Sequence, residues 1–143
     1  MGFLIGLLIW FGLMAMGMGS FVSAFVDLPS LLIAGFPVLV LAPLATSWGT
    51  ARSAFGYVFT SAVPADRTET ERAVVFFRFL GNGALYLGIL GSLIGGVIML
   101  QNLRDLTKIG PALAIVFLTL YYGLSIRFFA YAAETRVKYK GLG

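Results

Sequence analysis

The chain has 143 residues, of which 59% are hydrophobic and only 11% are charged, and its mean hydropathy is +0.96. Ordinary soluble domains carry about 25% charged residues, so this composition excludes that class. The sequence contains no cysteine and no histidine, which excludes disulfide frameworks and removes the commonest metal ligands and general bases. We therefore expect an integral membrane protein that is not an enzyme and has no metal site or cofactor.

Four stretches without charged residues locate the predicted membrane spans, at residues 1–26, 28–51, 79–103 and 109–126. A helix needs about 20 mostly apolar residues to cross a bilayer. We predict an all-α membrane protein with four transmembrane helices, at about 3–25, 30–52, 67–103 and 110–135, in one domain covering 1–143. The first helix is expected to be a retained span and not a signal peptide, because no basic residue precedes it.

The distribution of lysine and arginine predicts the orientation of these spans. Eight basic residues fall on one side, in the link between the second and third spans and after the fourth: Arg52, Arg67, Arg72, Arg78, Arg127, Arg136, Lys138 and Lys140. Only Arg104 and Lys108 fall on the other side. Because basic residues accumulate on the cytoplasmic side, we expect both termini and the central link to be cytoplasmic.

Local signals predict where several helices begin. Asp27 can cap the second helix, and Pro29 suits its first turn. Asp66 followed by Glu69 resembles a capping box, which predicts a helix start near Arg67. A helix from there to about residue 103 is roughly 55 Å long, so the third span should extend into the cytoplasm.

Small residues form one stripe on each of the last two spans. The stripe on the third span comprises Gly81, Ala84, Gly88, Gly91 or Ser92, and Gly95, and the stripe on the fourth comprises Ala112, Val116, Thr119 and Gly123. Such stripes let helix backbones approach closely, and serine or threonine can form hydrogen bonds across the contact. The pattern fits plain helix packing, and it equally fits a hydroxyl-lined face toward a partner helix or an ion path.

No Asp, Glu, Lys or His lies in the middle of any predicted span. A cation-coupled transporter normally has an ionisable group within the membrane. If ions cross here, the titrating carboxylate must come from another polypeptide. Arg127 lies near the end of the fourth span, where it can snorkel to the interface or pair with an acid of a partner.

Two regions of the sequence resemble the MotA/TolQ/ExbB proton-channel family, and its flagellar-stator MotA branch most. The first is Phe-Val-Asp-Leu-Pro-Ser-Leu-Leu-Ile at 25–33, which includes Asp27, Pro29 and Ser30. The second runs from Leu-Gly-Ile-Leu-Gly-Ser-Leu-Ile-Gly at 87–95, through Leu-Gln-Asn-Leu-Arg-Asp at 100–105 and Gly110-Pro111, to Tyr122-Gly123. The order and spacing of these motifs match the last three helices of that family.

This resemblance implies a ring of five subunits around two single-span partners of the MotB/TolR/ExbD type, in the bacterial inner membrane. Each partner would carry an Asp, and proton or sodium flow past it would drive mechanical work. Ser92 matches a family threonine that faces this Asp, whereas the matching position on the fourth span is either Thr119 or Leu120. The residues that would face the ion path or the partner are Ser92, Thr119, Gly88, Gly95, Tyr122 and Gly123.

The sequence departs from the flagellar branch because it lacks the large cytoplasmic domain between the second and third spans. The surface that contacts a rotor is therefore missing or reduced to residues 67–72, and an output other than a standard flagellar rotor fits better. Two alternatives stay open. The chain could be a membrane scaffold or assembly factor that never conducts, or a transporter of small solutes that works alone.

Overall fold

The structure, a computed structural model, describes residues 2–142 and consists of helices joined by short turns. Its five α-helices are α1 (Gly2–Met18), α2 (Leu28–Ala45), α3 (Trp48–Phe59), α4 (Arg67–Gln101) and α5 (Leu106–Lys140). A 3-10 segment, Gly19–Phe25, connects α1 to α2. No strand occurs in residues 2–142, so the predicted all-α class is confirmed.

Three helices, α2, α4 and α5, are long and apolar enough to cross a membrane, and α1 is a shorter apolar helix of 17 residues. Large apolar side chains on their outer faces are exposed, as at Leu8 (72%) and Leu93 (61%). A bilayer accepts such surfaces, whereas water would penalise them. These helices support the prediction of a multi-pass membrane protein.

The start of α2 forms as the sequence predicts. The backbone amide of Ser30 donates a hydrogen bond of 2.9 Å to the Asp27 carboxylate, and Pro29 occupies the first turn. Proline lacks an amide proton, which is no loss in a first turn where that donor has no partner within the helix.

The expected continuous second span over 30–52 is two helices in the structure. The α2 helix ends at Ala45, where the Thr46 hydroxyl donates to the carbonyl oxygen of Ala42 at 2.8 Å. Ser47 is extended, and its hydroxyl accepts a hydrogen bond from the Thr50 amide at 3.0 Å, which caps α3. Because this cap starts a new helix direction, α3 packs beside α4 and α5.

The start of α4 at Arg67 was also predicted correctly. The Asp66 carboxylate accepts from the Glu69 amide at 2.7 Å, while the Glu69 carboxylate accepts from the Ala65 amide at 2.9 Å. The helix ends at Gln101, slightly before the predicted residue 103. The α5 helix runs from Leu106 to Lys140 and is therefore longer at both ends than the predicted 110–135.

The α4 and α5 helices pack against each other along most of their length, and α2 packs against both. The main apolar core lies where α3 covers one end of this pair, and it includes Val58, Phe76, Phe77, Ala130 and Val137. We call this end, with residues 67–78 of α4 and 127–140 of α5, the charged end. The α4–α5 pair extends from the charged end to the short turn at 102–105. The small stripes lie between the charged end and this turn.

Candidate functional site

The two small-residue stripes face each other at the crossing of α4 and α5. A Cβ atom added to Gly88 would lie 2.8 Å from the carbonyl oxygen of Thr119 and 3.0 Å from the Cα of Gly123. A Cβ atom on Gly123 would lie 2.7 Å from the carbonyl oxygen of Ala84. These contacts are with backbone atoms that cannot rotate away, so only glycine permits this approach.

The stripes bring Ser92 and Thr119 together. Their hydroxyl oxygens lie 3.2 Å apart. The Ser92 hydroxyl also reaches the carbonyl oxygen of Val116 at 2.6 Å, and the Thr119 hydroxyl reaches that of Ile115 at 2.7 Å. When each hydroxyl proton points at its carbonyl, both oxygens keep a lone pair, and the half-buried Ser92 oxygen can accept a hydrogen bond from a partner or coordinate a cation.

Burial distinguishes the two members of this pair. Thr119 has no exposed surface in the isolated chain, whereas Ser92 is half-buried. Leu120, the other position that the resemblance suggested, has no polar side-chain atom, so Thr119 supplies the α5 hydroxyl that meets Ser92. Access to the pair is therefore from the Ser92 side of the crossing.

Gly95 and Gly91 extend the close contact on either side of this pair. A Cβ atom on Gly95 would lie 3.0 Å from Val116, and one on Gly91 would lie 2.9 Å from the Thr119 methyl carbon and 3.2 Å from Ile33. The contact with Ile33 shows that α2 joins the crossing there. Three helices thus meet at the level of the hydroxyl pair.

Tyr122, which is expected to face the path or the partner, forms hydrogen bonds with the connection before α2. Its hydroxyl donates to the carbonyl oxygen of Phe25 and accepts from the backbone amide of Asp27 at 3.1 Å. The side chain thus fixes the connection before α2 to the middle of α5. Sequence reasoning found the residue but not this contact, which depends on the fold.

The remaining motif residues form no side-chain hydrogen bond with the hydroxyl pair within residues 2–142. Gly110 and Pro111 are exposed in the first turns of α5, and Pro29 is exposed at the start of α2. Ser30 is completely buried, and its hydroxyl has no hydrogen-bond partner among the described residues. The structure therefore brings Ser92, Thr119 and the small stripes together, whereas Gly110, Pro111 and Pro29 are exposed at helix starts.

A buried carboxylate at the charged end was not predicted. Glu134 is 5% exposed and accepts hydrogen bonds from Arg78 at 2.8 Å and Lys138 at 2.7 Å. Burial alone would raise the pKa of Glu134, but the hydrogen bonds and charges of Lys138 and Arg78 together lower it below its usual value. The approach of α4 to α5 creates this site, so sequence spacing alone could not reveal the contact with Arg78.

Arg127 is a further charged residue of α5, and it lies close to Gly81 of α4. The Nη1 atom of Arg127 is buried without a hydrogen-bond partner in residues 2–142, close to the site where a Cβ of Gly81 would lie, at 3.2 Å. Its guanidinium lies 5.9 Å from the ring of Tyr131, which fits a cation–π contact. In the same range, no group of three potential metal-ligating side chains occurs.

These features define a class: a multi-pass helical membrane protein with a tight, hydroxyl-bearing crossing between its two longest helices. The chain belongs to the MotA/TolQ/ExbB proton channel family, whose model matches residues 37–141. The match includes the entire α4–α5 crossing. The prediction of the family is therefore confirmed.

One curated relative matches part of the chain in sequence. The chain is similar to the chemotaxis protein PomA of Vibrio alginolyticus, with 47% identity over 58 residues. This match covers 41% of the chain and 22% of PomA, so the chain matches less than a quarter of its relative. No solved structure matches the chain significantly.

Proposed function

We propose that the chain is the ring subunit of an ion-driven motor in the bacterial inner membrane. Five copies would surround two single-span partner subunits of the MotB/TolR/ExbD type. Flow of protons, or of sodium ions, past an Asp on each partner would produce mechanical work. The family match and the similarity to a chemotaxis protein support this proposal.

The Ser92–Thr119 pair is the observation that carries the proposal. It lies at the crossing of two long apolar helices, with lone pairs that can accept a hydrogen bond from a protonated carboxyl group. The apolar stretches of these helices contain no Asp or Glu of their own. A partner Asp would supply the group that this crossing lacks, and its protonation would change its packing against successive subunits.

The proposed arrangement in the membrane uses four spans. The first combines α1 with the 3-10 segment, and α2, α4 and α5 supply the others. Eight of the ten basic residues then fall on the cytoplasmic side, together with α3 and the charged end. At 35 residues each, α4 and α5 are about 52 Å long and would project beyond a bilayer core of about 30 Å.

The output of the motor would differ from that of a flagellar stator. The connection between α3 and α4 is only residues 60–66, so it cannot hold a folded domain that contacts a rotor. A minimal motor that acts on the cell envelope fits this chain better. It would perform no chemical catalysis and need no cofactor, since the transported ion is the only species that it handles.

Proton flux in proteoliposomes tests this function when the chain is reconstituted with a single-span protein of the proposed type that carries an Asp in its span, sought first in the neighbouring reading frame. Ser92→Ala combined with Thr119→Val removes both hydroxyls and adds no bulk. We expect flux to fall about tenfold, equivalent to one lost hydrogen bond of about 1.4 kcal/mol. Thr135→Val is the matched control, since the Thr135 hydroxyl is exposed and bonds only within its own helix.

Cryo-EM of the purified complex tests the assembly separately. Five copies around two central helices are expected for wild type and for the double variant. Unchanged flux in the double variant would overturn the role of Ser92 and Thr119. A ring without central helices, together with no proton flux in the wild type, would contradict the motor. That outcome would favour a non-conducting scaffold, which is also compatible with hydroxyls that are satisfied by carbonyl groups of their own chain.

A further inference from the structure

A largely apolar cavity of about 600 Å³ lies between α1, α2 and α5 and also reaches α3 and α4. Its walls include Met14 of α1, Leu39 of α2 and Ser125 and Phe129 of α5. The volume is within the range of about 300–1,000 Å³ that is typical of ligand sites. A buried water needs about two to four polar partners, which these apolar walls do not offer, so an apolar occupant fits the cavity best.

Aromatic side chains border this cavity at the charged end. The ring of Phe3 packs edge-on against Phe129 and Phe59, with centroids 6.0 Å and 6.2 Å away. Farther along α1, Trp10 stacks on Phe128 at 5.9 Å. Aromatic rings therefore hold α1 against α5 at separate points along α1. The cavity lies between these two helices.

An arginine without an acidic partner lies beside these rings. The guanidinium of Arg136 is 5.3 Å from the ring of Phe3, and its buried Nε has no hydrogen-bond partner among the described residues. No ion pair of Arg136 occurs in the same range. Arg136 follows Phe129 by two helical turns and lies on the same face of α5. A positive charge that has no acceptor among the described residues thus lies next to the rings that border the cavity.

The depth of these residues fits a lipid molecule. Arg136 lies 30 residues after Leu106, or about 45 Å along α5, which equals the thickness of a bilayer with its headgroups. When Leu106 is at one surface, Arg136 is therefore at the headgroups of the other. Phe129 and the cavity above it are then at the level of the acyl chains.

We propose that this cavity binds one phospholipid from the leaflet at the charged end. An acyl chain fills the space between α1, α2 and α5, and the phosphate accepts hydrogen bonds from Arg136. The acyl chain gains van der Waals contacts with the cavity walls, and the phosphate neutralises the unpaired guanidinium. The proposal requires only insertion in a membrane and does not depend on the motor function.

Native mass spectrometry can count the phospholipids that remain bound. The chain is reconstituted in nanodiscs of phosphatidylethanolamine and phosphatidylglycerol, then extracted in mild detergent and washed. Ala15→Trp fills the cavity, and Gly12→Trp is its control, because Gly12 faces open space outside the cavity. Arg136→Gln removes the phosphate partner, and Arg67→Gln, at an exposed ion pair, is its control.

We expect wild type and both controls to retain one phospholipid per chain, and Ala15→Trp and Arg136→Gln to lose it in most molecules. The melting temperature of washed Ala15→Trp should equal or exceed that of wild type, because tryptophan replaces the acyl chain; a lower value would indicate damage. Equal retention in all variants would overturn the proposal. So would a disulfide between Ala15→Cys residues of two copies, since a second copy would then occupy the cavity.

Discussion

Glu134 shows how a single buried carboxylate joins two helices. Arg78 of α4 and Lys138 of α5 both donate to its Oε1 atom, although about half of each basic side chain stays exposed. Replacing a buried carboxylate by a neutral group leaves its cations without a partner, and the penalty is moderated here because water reaches them. The residue therefore stabilises the charged end of the bundle.

Glu134→Gln should lower the free energy of unfolding at pH 7 by about 1–2 kcal/mol, since two charge-assisted hydrogen bonds are weakened. Chemical unfolding in detergent measures this change. Glu71→Gln is the control: Glu71 forms an exposed pair with Arg67, and such pairs contribute about 0.3–0.5 kcal/mol. Equal effects of the two substitutions would show that burial of Glu134 has no energetic importance.

The pKa of Glu134 also predicts a pH dependence. A carboxylate whose pKa is lowered on folding stabilises the protein above its unfolded value, and this stabilisation is lost as the pH falls through the folded value. The usual pKa is 4.5, so wild type should lose stability progressively below that pH. Glu134→Gln should show a shallower decrease over the same range, and parallel curves for both proteins would refute the assignment.

At the scale of whole elements, the α4–α5 contact depends on glycine. Gly88→Ala would place a methyl group 2.8 Å from a backbone oxygen, so the helices must separate, at a cost of about 1–3 kcal/mol. Gly96→Ala, in the same helix with open space around it, should be neutral or stabilising by up to about 1 kcal/mol. Thermal unfolding in detergent compares them, and similar melting temperatures would contradict the close contact.

Element boundaries could be predicted where a side chain caps the helix locally. Asp27 and Asp66 form their expected hydrogen bonds, because the interaction spans only three residues. The break at Thr46–Ser47 was missed because the surrounding sequence stays apolar and charge-free. Its signal is the pair of hydroxyls: Thr46 bonds back to α2, while Ser47 caps α3.

Part of the candidate site could be predicted, because the small-residue stripes of α4 and α5 are visible in the sequence. Periodicity put Ser92 and Thr119 on small-residue faces, and the structure brings their hydroxyls to 3.2 Å. The contacts of Tyr122 and Arg136 could not be inferred, because they depend on where α1 and the α2 entry pack against α5. Long-range contacts of single side chains require the tertiary arrangement.

At the scale of the whole molecule, the orientation in the membrane can be tested with cysteine reporters. The natural chain has no cysteine, so each introduced thiol is unique. Ala62→Cys, between α3 and α4, should react with a membrane-impermeant maleimide only after cells are permeabilised. Leu103→Cys, in the turn after α4, should react in intact cells when the maleimide can cross the outer membrane. The reverse labelling pattern would invert the proposed topology.

The ammonium group of Lys140 donates hydrogen bonds of 2.8 Å to the carbonyl oxygens of Tyr57, Thr60 and Ala62. These acceptors precede it by about eighty positions along the chain. During translation, the C-terminal end of α3 therefore lacks the Lys140 ammonium group until α4 and α5 have been synthesised and inserted. A ribosome that pauses between these segments would leave α3 free to fray, exposed to proteases that survey nascent membrane proteins.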